Sequence, residues 1–366
     1  MKIAFYINEM NYRGVANSTY LYALNNRKIL KNNSYIFFNK KNKNNKKDVI
    51  KKFKNKFDTF GVLNFKEIEI YQKKYNFDYL YIQKGGEKDL LFSEKVKTVI
   101  HSMYPQKLDE VHGSNYAFIS EWLSKKFSNK KIPYVPYIVE TYSSKKNLKK
   151  KLNVEKKIIL GCHGGESSFD LKFVKDAILS TVKTRKDIVF LFLNIKKFCS
   201  HSRIKFLKGT INEEYKRKFI NSCDYMIYGR SLGESFGLAC AEFAIHKKPI
   251  ISYRFNRHQS HKFSCSKKKF IEYSSYSSLK KILLSVKKNI KKSKAISKYN
   301  KYNSKKVMYL FKKEFLSEKK QNKFSFIDYQ RNYLSFFLIG YVYLRHKFYN
   351  HYYNLIWSKM NNLDIE

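Results

Sequence analysis

The run Ile188 to Ile195, IVFLFLNI, puts apolar side chains at consecutive positions over a length too short for an ordinary buried helix. A strand of this kind is apolar on both faces, and only a sheet with helices packed on either side keeps both faces from water. Other short apolar runs recur along the chain, each followed by a helical pattern, which is the signature of βα units and a parallel sheet. The chain is therefore expected to be α/β, neither a sandwich nor a bundle. No repeat of fixed period is evident beyond this doubled architecture.

Two series of βα units are visible. The first opens with a strand at Lys2 to Asn8 and a helix from about Val15 to Leu30. It continues through strand-like Tyr35 to Phe38, Glu67 to Tyr71, Asp78 to Gln83 and Val96 to His101, and closes near Tyr134 to Val139. A polar, lysine-rich stretch from Thr141 to Glu155 has linker character and marks the boundary. The second series has strands at Lys157 to Cys162, Ile188 to Ile195, Ile204 to Leu207, DYMIYG and PIISYR. Its helices fall at Phe173 to Val182, Asn212 to Asn221 and from about Phe236. Basic helices follow at Leu279 to Ile290 and Lys305 to Leu316, then an aromatic tail from Phe324 to Trp357. The expected domains are 1–145, 155–310 and a basic, aromatic helical tail 311–366, and a chain of 366 residues is long enough for two cores.

The 75 Lys and Arg against 29 Asp and Glu give a formal charge of +46, which favours polyanions, anionic membranes or acidic substrates. Lys, Asn, Ile, Tyr and Phe are over-used together along the whole length, however, as AT-rich coding produces without a selected function, and no nucleic-acid-binding motif interrupts the lysines. The five cysteines are scattered, with neither a CxxC pair nor disulfide spacing, which points to a reducing, cytoplasmic setting. MKIAFYIN reads as a first strand, since no small-residue cleavage site follows it. Tyr333 to Leu344 is apolar over 12 residues, where a spanning helix needs ~20. The tail is expected either to pack back on the N-terminal domain or to touch an anionic membrane peripherally, packing being the reading preferred.

Chemistry concentrates in Cys223 to Ile251, CDYMIYGRSLGESFGLACAEFAIHKKPII, which reads strand, glycine-bearing loop, helix, turn, strand. Ligands of open parallel sheets collect at such a point, because the strand delivers the chain to a helix N-terminus whose free amides accept a phosphate. Gly233 and Gly237 allow the backbone to come close. Glu234 stands at the helix mouth, and Glu242 lies in the apolar run FGLACAEFAI, where a carboxylate is costly unless partnered. Eight residues at helical rise amount to ~12 Å, comparable to the span of a nucleoside diphosphate-sugar. Against this, Glu242 could simply pair with a lysine, and Glu234 could be an ordinary helix-start acid.

The order Glu234, Ser235, Phe236, Gly237, Leu238, then Glu242, after CDYMIYGRS and before KKPII, resembles the E-x7-E signature of retaining glycosyltransferase family 4, also called group 1. The resemblance is specific over Lys157 to Tyr253 and thinner in the N-terminal half. It implies the GT-B fold, two Rossmann-like domains whose parallel sheets face across a cleft, and a glycosyltransferase that needs no metal and retains anomeric configuration. It further implies that Glu234 contacts the donor sugar, that the amides of Phe236, Gly237 and Leu238 line its hydroxyls and diphosphate, and that Glu242 binds ribose. The donor is then a nucleotide diphosphate-sugar, bound as substrate with no separate cofactor, while the acceptor, a saccharide, lipid or protein, is not named. In GCHGG, Gly161 to Gly165, Cys162 stands where the family usually has arginine, so the diphosphate's countercharge must come from Arg230, His163 or Lys172, beside Gly164 and Gly165.

In the N-terminal half, Gly14 in NYRGVANS follows the first strand, as a donor-side loop or an ordinary turn. His101 ends the strand KTVIH and is expected to face the crevice as a second catalytic group, whereas His112 is expected to pack locally. His258, His261 and Cys265 have histidine and cysteine without a fourth ligand in a strongly basic setting, so no metal site is expected, and no DxD-like pair is present. The competing reading is a non-catalytic basic protein that uses the same scaffold to hold polyanions or sit on an anionic membrane.

Overall fold

The computed structural model of the chain describes residues 1–140, 144–288, 297–318 and 323–357. It divides into two compact units, one of Met1–Glu140 with Lys301–Phe336 and one of Thr141–Asn300 with Phe337–Glu366. The first change of unit falls five residues before the position 145 expected from sequence, and the chain returns to the first unit at Lys301. Thr141, where the expected linker begins, lies outside the described residues.

In the first unit, β1 (Lys2–Ile7), β2 (Asn33–Asn39), β3 (Asp58–Val62), β4 (Tyr79–Lys84), β5 (Lys97–Ser102) and β6 (Asn115–Phe118) form one parallel sheet in the order β3-β2-β1-β4-β5-β6. Helix Gly14–Lys28 and helix Ser304–Phe315 cover one face through Tyr22, Phe311 and Phe315, whose rings meet Phe5 and Tyr81 of the sheet.

Two expected strands of this unit take other forms. Glu67 to Tyr71 is helical, a 3₁₀ turn Phe65–Glu67 leading into a helix Ile68–Tyr75. The alternation in EIEIY imitates a strand, but Asn64 caps the turn by accepting from the Glu67 amide at 3.2 Å, and of the two isoleucines only Ile68 is buried. The sheet's edge at that point is β3 instead. Tyr134 to Val139 makes a single bridge, Tyr134 to Phe118, because Pro133 and Pro136 remove two donors a ladder needs. The sixth strand is β6.

In the second unit, β7 (Ile158–His163), β8 (Ile188–Leu193), β9 (Ile204–Leu207), β10 (Tyr225–Tyr228), β12 (Ile250–Tyr253) and β14 (Phe270–Tyr273) form a second parallel sheet, ordered β14-β12-β10-β7-β8-β9. A separate short pair joins β11 (Gly233–Glu234) to β13 (His258–Gln259). Numbered within each unit, both large sheets read 3-2-1-4-5-6, the order of a dinucleotide-binding doubly wound fold. All six residues of β8 are buried, as a strand covered on both faces requires. Expected helices recur as Lys172–Thr184, Glu213–Ser222, Leu238–Ile245 and Tyr276–Ser285, with Asn289 and Ile290 of the last expectation outside the described residues.

Phe173 anchors this core. It is fully buried, with its ring 5.3 to 6.0 Å from those of Tyr253, Tyr273, Tyr349 and Tyr353. Truncating a buried phenylalanine removes transfer energy and leaves a cavity, so Phe173→Ala should destabilise the second unit by about 3–5 kcal/mol in urea unfolding. A change below about 1 kcal/mol would contradict this packing.

Candidate functional site

Both sheets reverse their winding between the first and fourth strands, β1 with β4 and β7 with β10. Loops leaving the carboxyl ends of such a pair turn to opposite faces of the sheet and leave a crevice where ligands bind. In the second unit the two loops that leave are the ones singled out by sequence, Gly164 and Gly165 after β7, and Gly229 to Gly237 after β10. They are tied together through Asp170, whose amide donates to the Gly229 carbonyl at 3.0 Å and whose carboxylate accepts from the Ser231 amide at 2.7 Å and hydroxyl at 2.8 Å.

The β10 loop needs glycine at two places. Gly233 has φ +73° and a Cβ there would lie 2.1 Å from the His258 carbonyl oxygen, so β11 could not sit beside β13 with any other residue. Gly237 has φ +87° and caps helix Leu238–Ile245, and a Cβ on it would come within 3.0 Å of His261 and 3.2 Å of Glu234. Phe236 is buried with its ring 5.4 Å from that of Tyr299, whose hydroxyl donates to the Phe236 carbonyl at 2.6 Å. Ser235 is buried and Leu238 half-buried. Helix geometry leaves the amides at the start of Leu238–Ile245 without intrahelical acceptors, which makes this end an anion seat.

Glu234 is fixed on one oxygen. The Tyr228 hydroxyl donates to its Oε1 at 2.7 Å and Arg230 at 3.3 Å, leaving Oε2 without a hydrogen bond among the described residues. Burial, and then the Glu234 charge, raise the Tyr228 phenol well above its ordinary value, so it stays a donor. The Arg230 carbonyl is in turn held by the Asn256 amide at 2.6 Å.

Glu242 is paired, as the alternative sequence reading had it. Lys216 lies 2.7 Å from Oε1 and His163 Nε2 lies 2.9 Å from Oε2. Burial alone would raise the Glu242 carboxyl, but Lys216 and His163 outweigh it and hold it below the usual carboxylate range. Lys216 is raised for the same reason, Glu242 and Glu213 overcoming its burial. The ring of His163, last residue of β7, also stacks on Phe243 at 5.8 Å. Two predicted site residues from different elements, His163 and Glu242, are thus brought together, as are Arg230 and Glu234.

Other expected residues have surroundings of their own. Lys172 opens its helix paired to Asp176 at 3.2 Å, with its ammonium 5.8 Å from the Tyr353 ring centroid. Cys162, in the expected arginine position, is buried with its thiol raised by desolvation, a packing residue and no nucleophile. Gly14 belongs to the first unit and begins helix Gly14–Lys28 with open space where a Cβ would stand.

His101 does not face a crevice, which corrects the sequence expectation. It sits inside β5, fully buried, with Nε2 2.8 Å from the Val135 carbonyl and Nδ1 2.6 Å from the Tyr81 hydroxyl. A carbonyl only accepts, so Nε2 carries the proton and Nδ1 takes the tyrosine's, and both nitrogens are used. Burial pushes its pKa down to about 3. His112 bonds locally, Nδ1 to the Glu110 carbonyl at 2.7 Å. No cluster of three or more His, Cys, Asp or Glu able to hold a metal occurs among the described residues. Sequence reasoning missed Lys216 and Tyr228. Only the three-residue spacing of Glu213 and Lys216 and the tyrosine at the end of DYMIY were there to point at them.

No protein-family model and no curated protein sequence matches the chain. Solved structures do. HepE from Anabaena, in complex with UDP and glucose, matches with a TM-score of 0.62 at 11% identity, covering 86% of this chain and 98% of its own. A glycosyltransferase from Rickettsia africae matches at 0.58 and 14% identity, over 93% and 98%. The chain has the GT-B fold. A UDP-N-acetylglucosamine 2-epimerase shares it, at 0.57 and 12% identity, over 89% and 99%, so GT-B neighbours include enzymes of more than one reaction.

Burial also pushes His258 down to about 3 and His261 well below the ordinary histidine value. The unfolded chain takes up these protons near about pH 6.5 while the folded chain refuses them, so stability is full above that pH and lost as pH falls towards the folded values. Urea midpoints should therefore drop between about pH 7 and pH 5, before most carboxylates titrate, and a flat profile there contradicts neutral buried imidazoles. Lys216→Met leaves Glu242 buried without its main partner and should cost about 3–5 kcal/mol, most of it recovered when Glu242→Leu is added. Equal instability of the single and double variants would show that the pair is not coupled.

Proposed function

We propose that the second unit binds a nucleotide diphosphate-sugar at the carboxyl ends of β7 and β10, and that the chain transfers the sugar to an acceptor with retention of configuration and without a metal. The observation that carries this reading is the pair of acids at the switch point. Glu234 is held by Tyr228 and Arg230 on Oε1, with Oε2 making no hydrogen bond among the described residues, and Glu242 follows it on the helix that Gly237 caps. That spacing and order are those of the resemblance to retaining glycosyltransferase family 4.

The diphosphate sits at the amides that open helix Leu238–Ile245, where backbone dipoles and Arg230 offset its charge. These groups are fixed before substrate arrives, so they stabilise the departing phosphate with little reorganisation. Glu234 accepts sugar hydroxyls on Oε2, orienting the ring as positive charge grows at the anomeric carbon. Glu242 accepts the ribose hydroxyls. Its pairing does not prevent this, because a carboxylate offers about four lone-pair sites, Lys216 takes one on Oε1, and Oε2 makes no hydrogen bond among the described residues. Retention follows if the leaving phosphate itself receives the acceptor's proton on the face where it departs. His101 and Lys172 have no part in the scheme. The UDP-bound neighbours support uridine as the nucleoside.

Incubation with UDP-, GDP- and ADP-sugars followed by product analysis tests the reading. Transfer or slow hydrolysis releases the nucleoside diphosphate, whereas an epimerase returns an altered sugar still attached to it. With the active donor, Glu234→Gln should lower turnover by roughly 10²–10³-fold, as expected for loss of a preorganised charged contact. Unchanged turnover in that variant, or no thermal shift with any nucleotide, overturns the site.

A further inference from the structure

Helix Phe326–Tyr352 buries polar side chains beside Ile339 and leaves a row of large apolar ones in water. Asp328, Asn332 and Ser335 point inward and are buried, while Phe337 and Phe348 stand 71% and 75% exposed. The inward side chains are tied down: Asn332 donates to the Phe127 carbonyl at 2.7 Å and Ser335 to that of Lys126 at 2.7 Å. Within the second unit the outer face carries Phe337, Tyr341, Leu344, Phe348 and Tyr352, all exposed. At 100° per residue these five lie within about 80° of one another around the helix axis, a continuous stripe. With aromatic side chains of roughly 150–250 Å² each, the stripe leaves several hundred Å² of apolar surface in water, as much as the largest patch of an ordinary monomer.

The charges the helix itself carries beside the stripe have one sign. From Phe337 to Leu355 there is no Asp or Glu, while Arg345, Lys347 and His351 flank the aromatic residues. The basic segment Arg254 to Lys262 joins them, with Arg345 stacked over Phe255 at 4.3 Å and Arg257 over Tyr343 at 5.7 Å. A second copy of the chain would bring the same cations to the same seam and a further +46 charge, so self-pairing is opposed. An anionic lipid surface satisfies both features: acyl chains take the aromatic and leucine side chains, and headgroups meet the arginines. Tyrosine at the headgroup level suits Tyr341 and Tyr352. Among the described residues no helix is long and apolar enough to cross a membrane, so a helix bound there lies along the surface.

We propose that the outer face of this helix is a docking surface for an anionic membrane, with Phe337, Tyr341, Leu344, Phe348 and Tyr352 inserted and Arg345, Lys347 and Arg257 at the headgroups. The proposal is independent of the sugar-transfer reading, since it uses none of the donor-site residues.

Flotation of the full chain with vesicles tests it. The chain should rise with vesicles of equal parts phosphatidylcholine and phosphatidylglycerol and remain below with phosphatidylcholine alone. Phe337→Ser combined with Phe348→Ser leaves every charge in place and alters only exposed positions. It should reduce the bound fraction by roughly 10- to 100-fold, from the apolar burial lost, with circular dichroism and melting temperature unchanged. Three results overturn the proposal. The wild-type chain could stay unbound with both vesicles. The double variant could bind as well as wild type, which would assign attachment to charge alone. Sedimentation could instead show a wild-type dimer, lost in the variant, without vesicle binding, which would make a second copy the occupant.

Discussion

A parallel strand that is apolar on both faces cannot be left open to water on either side, and β8 with its neighbours imposes this on the second unit. Helices must cross on both faces, crossovers are right-handed, and the chain has to reverse its winding somewhere to cover the second face. That reversal lies between β7 and β10, and it turns two loops distant in sequence, His163 to Gly165 and Gly229 to Gly237, into neighbours. The position of the candidate site is thus a consequence of covering the sheet. Its chemistry is then a matter of which residues those loops carry.

The same loops explain how an acid survives in the apolar run of helix Leu238–Ile245. Glu242 lies within ion-pair distance of two groups from two elements, Lys216 on helix Glu213–Ser222, which donates to Oε1, and His163 at the end of β7, near Oε2. A buried charge paired in this way adds little net stability compared with a hydrocarbon of the same size, but it is costly to break from one side. It fixes helix, strand end and loop relative to one another, which is what a site with preorganised dipoles needs. Glu234 is handled differently. Among the described residues it keeps one oxygen without a hydrogen bond, and it is positioned by a tyrosine whose burial keeps it protonated.

Much of this was legible in the sequence for a physical reason: the features that carry the fold are local. Continuous apolar strands, strand-to-helix loops with glycine and the spacing of Glu234 and Glu242 can each be read within a dozen residues. What could not be read depends on partners far along the chain. Lys216 stands 26 positions before Glu242 and looks like any other lysine among 75 Lys and Arg. His101 lies at a strand's carboxyl end, where a functional imidazole is expected, yet Tyr81 and Val135, brought from other segments, close it inside the sheet. Glu67 to Tyr71 misleads for the opposite reason, a local alternation too short to outweigh the cap at Asn64. The prolines at 133 and 136 were visible and should have argued against a last strand there.

The aromatic tail shows where a packing argument by composition fails. A helix rich in Phe, Tyr, Leu and Ile is ordinarily expected to bury those residues and expose its polar ones, and this expectation favours packing against the body of the protein. The helix does pack, through Ile339 and Tyr349, but also through asparagine, serine, aspartate and histidine, whose hydrogen bonds to backbone carbonyls and neighbouring side chains help to set its rotation. Once those bonds fix the inner face, the 3.6-residue period forces the aromatic side chains outward. The cost of leaving them in water is then carried by the folded chain alone and disappears only when something apolar covers them. The surrounding arginines narrow what that covering can be, since a neutral apolar partner would gain nothing from them and a cationic one would be repelled. An interface that is apolar inside and anionic at its rim matches both, and the rotation of the helix, set by a few buried polar side chains, decides that the protein presents that face.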